Sequence, residues 1–71
     1  MKQGKTKIKL NGETREFEQN LTLLELLSEM GLHEKSVFIE YNREPLDRKN
    51  YARTRINEGD VIEIVTMMAG G

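Results

Sequence analysis

The chain has 71 residues, of which 37% are hydrophobic and 32% are charged. Its 11 basic and 12 acidic residues are interspersed and give a net charge of -1, which argues against a nucleic-acid or membrane partner, because either would require clustered positive charge. The lack of cysteine excludes a disulfide framework, a thiolate metal site and a cysteine nucleophile.

The first predicted element is a β-hairpin. Thr6, Ile8 and Leu10 alternate with lysines, and this period of two is typical of a half-buried strand. Asn11-Gly12 follows, and both residues tolerate the positive φ that a tight hairpin turn requires. We therefore expect a returning strand over residues 14–17.

A helix is predicted after the hairpin. Thr22 and Glu25 have the spacing of a capping box, and Leu21 and Leu26 the spacing of a hydrophobic staple. Gly31 is expected to end the helix in the left-handed conformation. The predicted apolar stripe consists of Leu23, Leu24, Leu27 and Met30.

The second half of the chain predicts two more strands. Val37, Ile39 and Tyr41 alternate with polar or exposed positions, and residues 42–45 then form a turn in which Pro45 disfavours a central strand. A short helical turn is expected over residues 47–51, followed by a buried anchor at Ile56 and a second turn over residues 57–60. Ile62 and Ile64 alternate in the last strand.

The predicted order is therefore strand, strand, helix, strand, strand. A hairpin that feeds a crossing helix allows the last strand to return parallel to the first. This is an α+β fold of the β-grasp type, a mixed sheet with one helix packed across it, over residues 1–66, with residues 67–71 as a flexible tail. A three-stranded fold and a swapped dimer are the alternatives.

The residues give little indication of catalysis or metal binding. His33 is the only histidine and follows the helix, where a surface role is expected. The acidic residues suggest no acid/base pair, and we expect no catalytic or metal site. A basic cluster is either a salt-bridged surface or a docking patch, and comprises Arg48, Lys49, Arg53 and Arg55. No signal peptide or membrane-spanning run stands out, so we expect a soluble cytoplasmic protein.

The alternation also predicts an apolar patch on the outer face of the sheet. If Ile62 and Ile64 face the helix, Val61 and Val65 face the opposite side, together with Phe38. Exposed apolar side chains that cluster often mark a protein contact. The alternative is that the tail or the Pro45 loop covers them.

The sequence ends in two glycines, Gly70 and Gly71. A frayed end is one interpretation. The other is functional: glycine has no side chain, so a Gly-Gly end can enter a narrow active site with its carboxylate open to attack. The Gly71 carboxylate would then be the reactive group, supported by Met67, Met68 and Ala69.

With this fold and tail, the sequence resembles the ubiquitin-like sulfur carriers, and in particular the ThiS family of thiamine biosynthesis. The resemblance covers nearly the whole chain. It is carried by residues 21–27, 37–42, 47–52, 59–60 and 62–64, and by Gly70-Gly71.

The resemblance implies a mechanism and a set of partners. An E1-like adenylating enzyme would use ATP with magnesium to adenylate the Gly71 carboxylate. A sulfur donor, such as a cysteine desulfurase system, would convert the adenylate to a thiocarboxylate. Thiazole synthase would then take the sulfur, while the chain itself would be a protein co-substrate with no bound cofactor.

Three alternatives share some of these features. A sulfur carrier for molybdopterin or for cysteine or methionine synthesis would use the same tail chemistry. A ubiquitin-like modifier would join Gly71 to target lysines through an isopeptide bond. A pure interaction module would not need the glycines, and fold alone does not decide among these functions.

Overall fold

The computed structural model describes residues 4–67, which form a mixed five-stranded sheet with one α-helix packed against it. The elements are β1 (Lys5–Leu10), β2 (Glu13–Glu18), α1 (Leu23–Glu29), β3 (Val37–Tyr41), β4 (Glu44–Leu46) and β5 (Val61–Thr66), with 3₁₀ helices at Glu34–Ser36 and Arg48–Arg53. The strand order is β2-β1-β5-β3-β4, and β5 runs parallel to β1. The predicted class and the predicted parallel pairing are confirmed.

The hairpin and the helix start follow the predicted local chemistry. Asn11 and Gly12 have φ values of 50° and 85°, and β2 returns antiparallel to β1. At the helix start, the Thr22 hydroxyl accepts a hydrogen bond from the Glu25 N–H at 3.1 Å, and the Glu25 carboxylate accepts one from the Thr22 N–H at 2.8 Å. Gly31 follows the helix with φ 74°, which favours glycine there.

The buried face of the helix differs from the predicted stripe. Leu23, Leu26 and Leu27 are fully buried, whereas Leu24 and Met30 are only partly buried. Leu24 follows Leu23 by about 100° around the helix axis, since a turn has 3.6 residues, and this turns its side chain away from the sheet. Leu26, predicted only as a staple, is therefore a core residue.

The predicted turn over residues 42–45 is shorter than expected. Asn42 and Arg43 form the turn with φ values of 52° and 72°, and the chain then pairs with β3 as the short strand β4. The sheet therefore has one more strand than expected. Pro45 is accommodated because β4 lies at the edge of the sheet, where a missing N–H costs no ladder bond to a further strand.

The second half of the core contains the predicted anchor. Ile56 is buried, and Tyr51, in the 3₁₀ helix near the predicted helical turn, is buried with it. The Ile39 N–H donates to the Tyr51 hydroxyl at 3.1 Å, so the phenol oxygen is satisfied inside the core. The core cluster also includes Ile8, Leu10, Phe17, Val37, Ile62 and Ile64.

A buried carboxylate holds the turn before β5. Asp60 accepts hydrogen bonds from the Tyr41 hydroxyl at 2.6 Å, the Asn57 N–H at 2.8 Å and the Asn42 amide at 3.2 Å. Burial raises the pKa of the Tyr41 hydroxyl above its ordinary value of 10.0, and the hydrogen bond to Asp60 and the Asp60 charge raise it further. This network ties the end of β3 to the start of β5.

Candidate functional site

The face of the sheet opposite the helix carries the candidate site. Phe38 and Val65 lie directly opposite each other on β3 and β5, and their side chains are 57% and 59% exposed. Their neighbours in sequence, Ile39 on β3 and Ile64 on β5, are buried. The structure thus places both side chains on the outer face, as the alternation predicted.

Met67 extends this apolar surface toward the end of the chain. Its N–H donates to the Ser36 carbonyl at 2.8 Å, so pairing with the β3 side continues one residue beyond β5. Its side chain is 40% exposed and continues the odd-numbered series of outward residues. We refer to Phe38, Val65 and Met67 as the apolar patch.

Val61 does not belong to this patch. It is half-buried beside Lys9 at the other end of β5, and Glu63 lies between it and Val65 on the same face. Phe38 and Val65 therefore lie together on the outer face, as predicted. Val61, the third member of the predicted patch, is separated from them. Their role as partner contacts stays a prediction.

Arg48 borders the patch, and its position could not be inferred from sequence. Its guanidinium lies over the Phe38 ring, 5.7 Å from the ring centre. Nε donates to the Glu34 carbonyl at 2.9 Å, and Nη2 donates to the Val37 carbonyl at 3.3 Å. These contacts hold Arg48 in place, so one member of the predicted basic cluster supports Phe38.

The other predictions concern the tail, His33, and metal or membrane binding. Met68, Ala69, Gly70 and Gly71 lie outside the described residues. The His33 ring accepts a hydrogen bond at Nδ1 from the Lys35 N–H at 3.1 Å and caps a 3₁₀ helix. Within residues 4–67, no three potential metal ligands gather at one place, and no helix is long and apolar enough to cross a membrane.

The topology and the outer patch define a β-grasp protein that presents an apolar patch on the outer face of its sheet, at the end of its last strand. A family model described as "ThiS family" matches residues 8–71. The chain belongs to the ThiS family.

Individual relatives agree with this assignment. The sulfur carrier protein ThiS of Thermus thermophilus is 40% identical over 62 residues, which cover 87% of this chain and 95% of that protein. The crystal structure of the thiamine biosynthesis protein ThiS from Geobacter metallireducens superposes with a TM-score of 0.78 at 29% identity, covering 93% of this chain and all of that one.

A second kind of relative is much longer. The thiazole synthase of Paramagnetospirillum magneticum is 38% identical over 65 residues, which cover 92% of this chain. The chain spans one fifth of the length of that relative, 20%. A region similar to this chain therefore occurs within proteins named as thiazole synthases.

Proposed function

We propose that this chain is the sulfur carrier for thiazole formation in thiamine biosynthesis, and that it carries sulfur as a thiocarboxylate on Gly71. The observation that carries the proposal is the likeness to the Thermus thermophilus sulfur carrier over 95% of that protein's length. The family match through residue 71, which includes Gly70-Gly71, supports the assignment of the tail.

The proposed chemistry depends on activation of an unreactive group. The Gly71 carboxylate attacks the α-phosphorus of ATP on an adenylating enzyme, and pyrophosphate leaves. The sulfur of the donor then attacks the acyl carbon and forms the C–S bond as the bond to AMP, the leaving group, breaks. Where the donor is a persulfide, this gives an acyl disulfide, and a second thiol reduces its S–S bond, becoming a disulfide itself, to release the thiocarboxylate. The chain supplies the carboxylate and is consumed and regenerated as a co-substrate, while its partners supply catalysis.

The apolar patch supports this function by its position. Gly71 follows Met67 by four residues, and an extended chain covers at most about 14 Å over that distance. A partner that binds Phe38, Val65 and Met67 therefore needs its active site within that reach. We propose thiazole synthase as one such partner, since relatives of that name contain a region similar to this chain.

Intact mass spectrometry tests the proposal. The protein is incubated with ATP, magnesium, the adenylating enzyme and a sulfur source, and we expect a mass gain equal to the replacement of one oxygen by sulfur. A variant lacking Gly71 should show no gain while its thermal unfolding is unchanged, and Lys49→Ala, on an exposed position, serves as the matched control.

Three other outcomes would contradict the proposal. An unchanged mass, with an adenylating enzyme shown to be active on another carrier, would indicate an interaction module. Covalent adducts of this chain with other proteins would indicate a modifier. A mass gain that persists after removal of Gly71 would show that sulfur is held elsewhere.

A further inference from the structure

Two glutamates face each other beside the apolar patch. Glu40 on β3 and Glu63 on β5 are directly opposite in the antiparallel register, and both are exposed. They form the next outward pair after Phe38 and Val65 on the same two strands. Like charges placed directly opposite each other destabilise a sheet, so this pair does not serve the fold.

Elsewhere on the same face of the sheet, charged residues that lie opposite each other carry unlike charges. On the hairpin, Lys5 lies opposite Glu18, and Lys7 lies opposite Glu16. The outer face therefore pairs unlike charges far from the patch and like charges next to it. Lys9, opposite Val61, lies only diagonal to Glu63. Diagonal neighbours are about 7–8 Å apart and directly opposite ones about 4.5–5.5 Å, so the nearer charge on this face is that of Glu40.

We infer that Glu40 and Glu63 together bind a basic side chain of thiazole synthase, which docks on the apolar patch; this rests on the proposed function. A single cation between two carboxylates relieves their repulsion in the complex and can hydrogen-bond both. An arginine suits the site best, because its planar guanidinium presents several donors in fixed directions. Apolar contact then provides binding area, and the charged contact fixes the orientation that aims the tail.

Charge reversal at one glutamate separates this role from a structural one. E63K places a lysine directly opposite Glu40 and so replaces a like-charge pair by an unlike one. We therefore expect the free protein to be at least as stable as wild type. It also places a cation against the basic side chain of the partner, so we expect the Kd for thiazole synthase to rise at least about tenfold. E63Q should be intermediate in binding, and the loss should shrink at high salt.

A mirrored control is available on the hairpin. E16K makes the same change in net charge but creates like charges opposite Lys7, away from the patch. We expect it to lower stability slightly and to leave the Kd unchanged. The two variants should therefore move stability and binding in opposite senses.

The measurements are titration calorimetry of the wild type and each variant with purified thiazole synthase from the same organism, and chemical unfolding of the free proteins. If the wild type binds and E63K binds equally well, or if E16K weakens binding as much as E63K, this inference is overturned while the proposed function stands. If the wild type does not bind thiazole synthase, the proposed partner and this inference both fall.

Discussion

Asn11 completes the pairing of the central strand with β1, and its replacement should weaken the fold measurably. The register of β1 with β5 includes only two residue pairs, Lys9 with Val61 and Leu10 with Ile62. The Asn11 side chain extends this ladder: Oδ1 accepts the Ile64 N–H at 2.7 Å, and Nδ2 donates to the Ile64 carbonyl at 3.2 Å. These two backbone groups belong to a buried residue.

The expected cost of Asn11→Ala has two parts. Each lost hydrogen bond contributes about 1 kcal/mol, which gives about 2 kcal/mol for the pair. Asn11 also has φ 50°, and alanine in the left-handed region costs about 1 kcal/mol more than asparagine, whose side chain is tolerated there. The sum is about 3 kcal/mol, a large part of the roughly 5–15 kcal/mol that stabilises a typical domain.

Asn11→Gly separates the two parts. Glycine accepts positive φ, so this variant should lose only the hydrogen bonds, about 2 kcal/mol. Urea unfolding followed by circular dichroism measures both variants, and amide exchange at Ile64 should speed up in both. A loss below about 0.5 kcal/mol in Asn11→Ala would refute the role of the side chain. Equal losses in the two variants would remove the backbone part of the reasoning.

Two further predictions concern the patch and the Tyr41 hydroxyl. Phe38→Asp should change the free energy of unfolding by less than about 1 kcal/mol, because the ring is mostly exposed. It should nevertheless raise the Kd for thiazole synthase at least about tenfold, with Lys49→Asp as the control. Global unfolding of Phe38→Asp would contradict the exposed placement. Because the folded-state pKa of Tyr41 lies above its ordinary value of 10.0, the folded protein holds this proton more tightly than the unfolded chain. The stability that this group contributes is therefore complete below pH 10 and is lost as the pH rises through the raised pKa. Tyr41→Phe should make urea unfolding less sensitive to alkaline pH. An identical pH dependence in the variant would exclude this contribution.

Local signals in the sequence were sufficient for most of the fold. Asn11-Gly12 fixed the first turn, the Thr22–Glu25 spacing gave the helix start, and alternation in the last strand identified its buried side. Each of these depends on a few neighbouring residues, so the local chemistry decides the outcome.

The features that the sequence did not predict depend on tertiary contacts. Strand β4 contains a proline and follows an arginine at positive φ, both of which disfavour a strand in local terms, and it forms because β3 offers a free edge. The position of Arg48 over Phe38 and the opposition of Glu40 and Glu63 join residues from different elements. Neither has a periodic signal, because the register between strands is not encoded by spacing along one of them.

The register of β5 links the fold to the candidate site. A slip by one residue would turn Glu63 and Val65 into the core and Ile62 and Ile64 outward, since neighbouring side chains point to opposite faces. Asparagines oppose such a slip on both sides of the strand: Asn11 binds Ile64 on the β1 side, and on the β3 side the Asn42 N–H donates to the Val61 carbonyl at 2.7 Å while its Oδ1 accepts the Val61 N–H at 2.8 Å. Because β5 carries part of the patch and the chain continues from it toward Gly71, a fixed register sets both the position of the patch and the end of the sheet nearest to the proposed site of sulfur attachment.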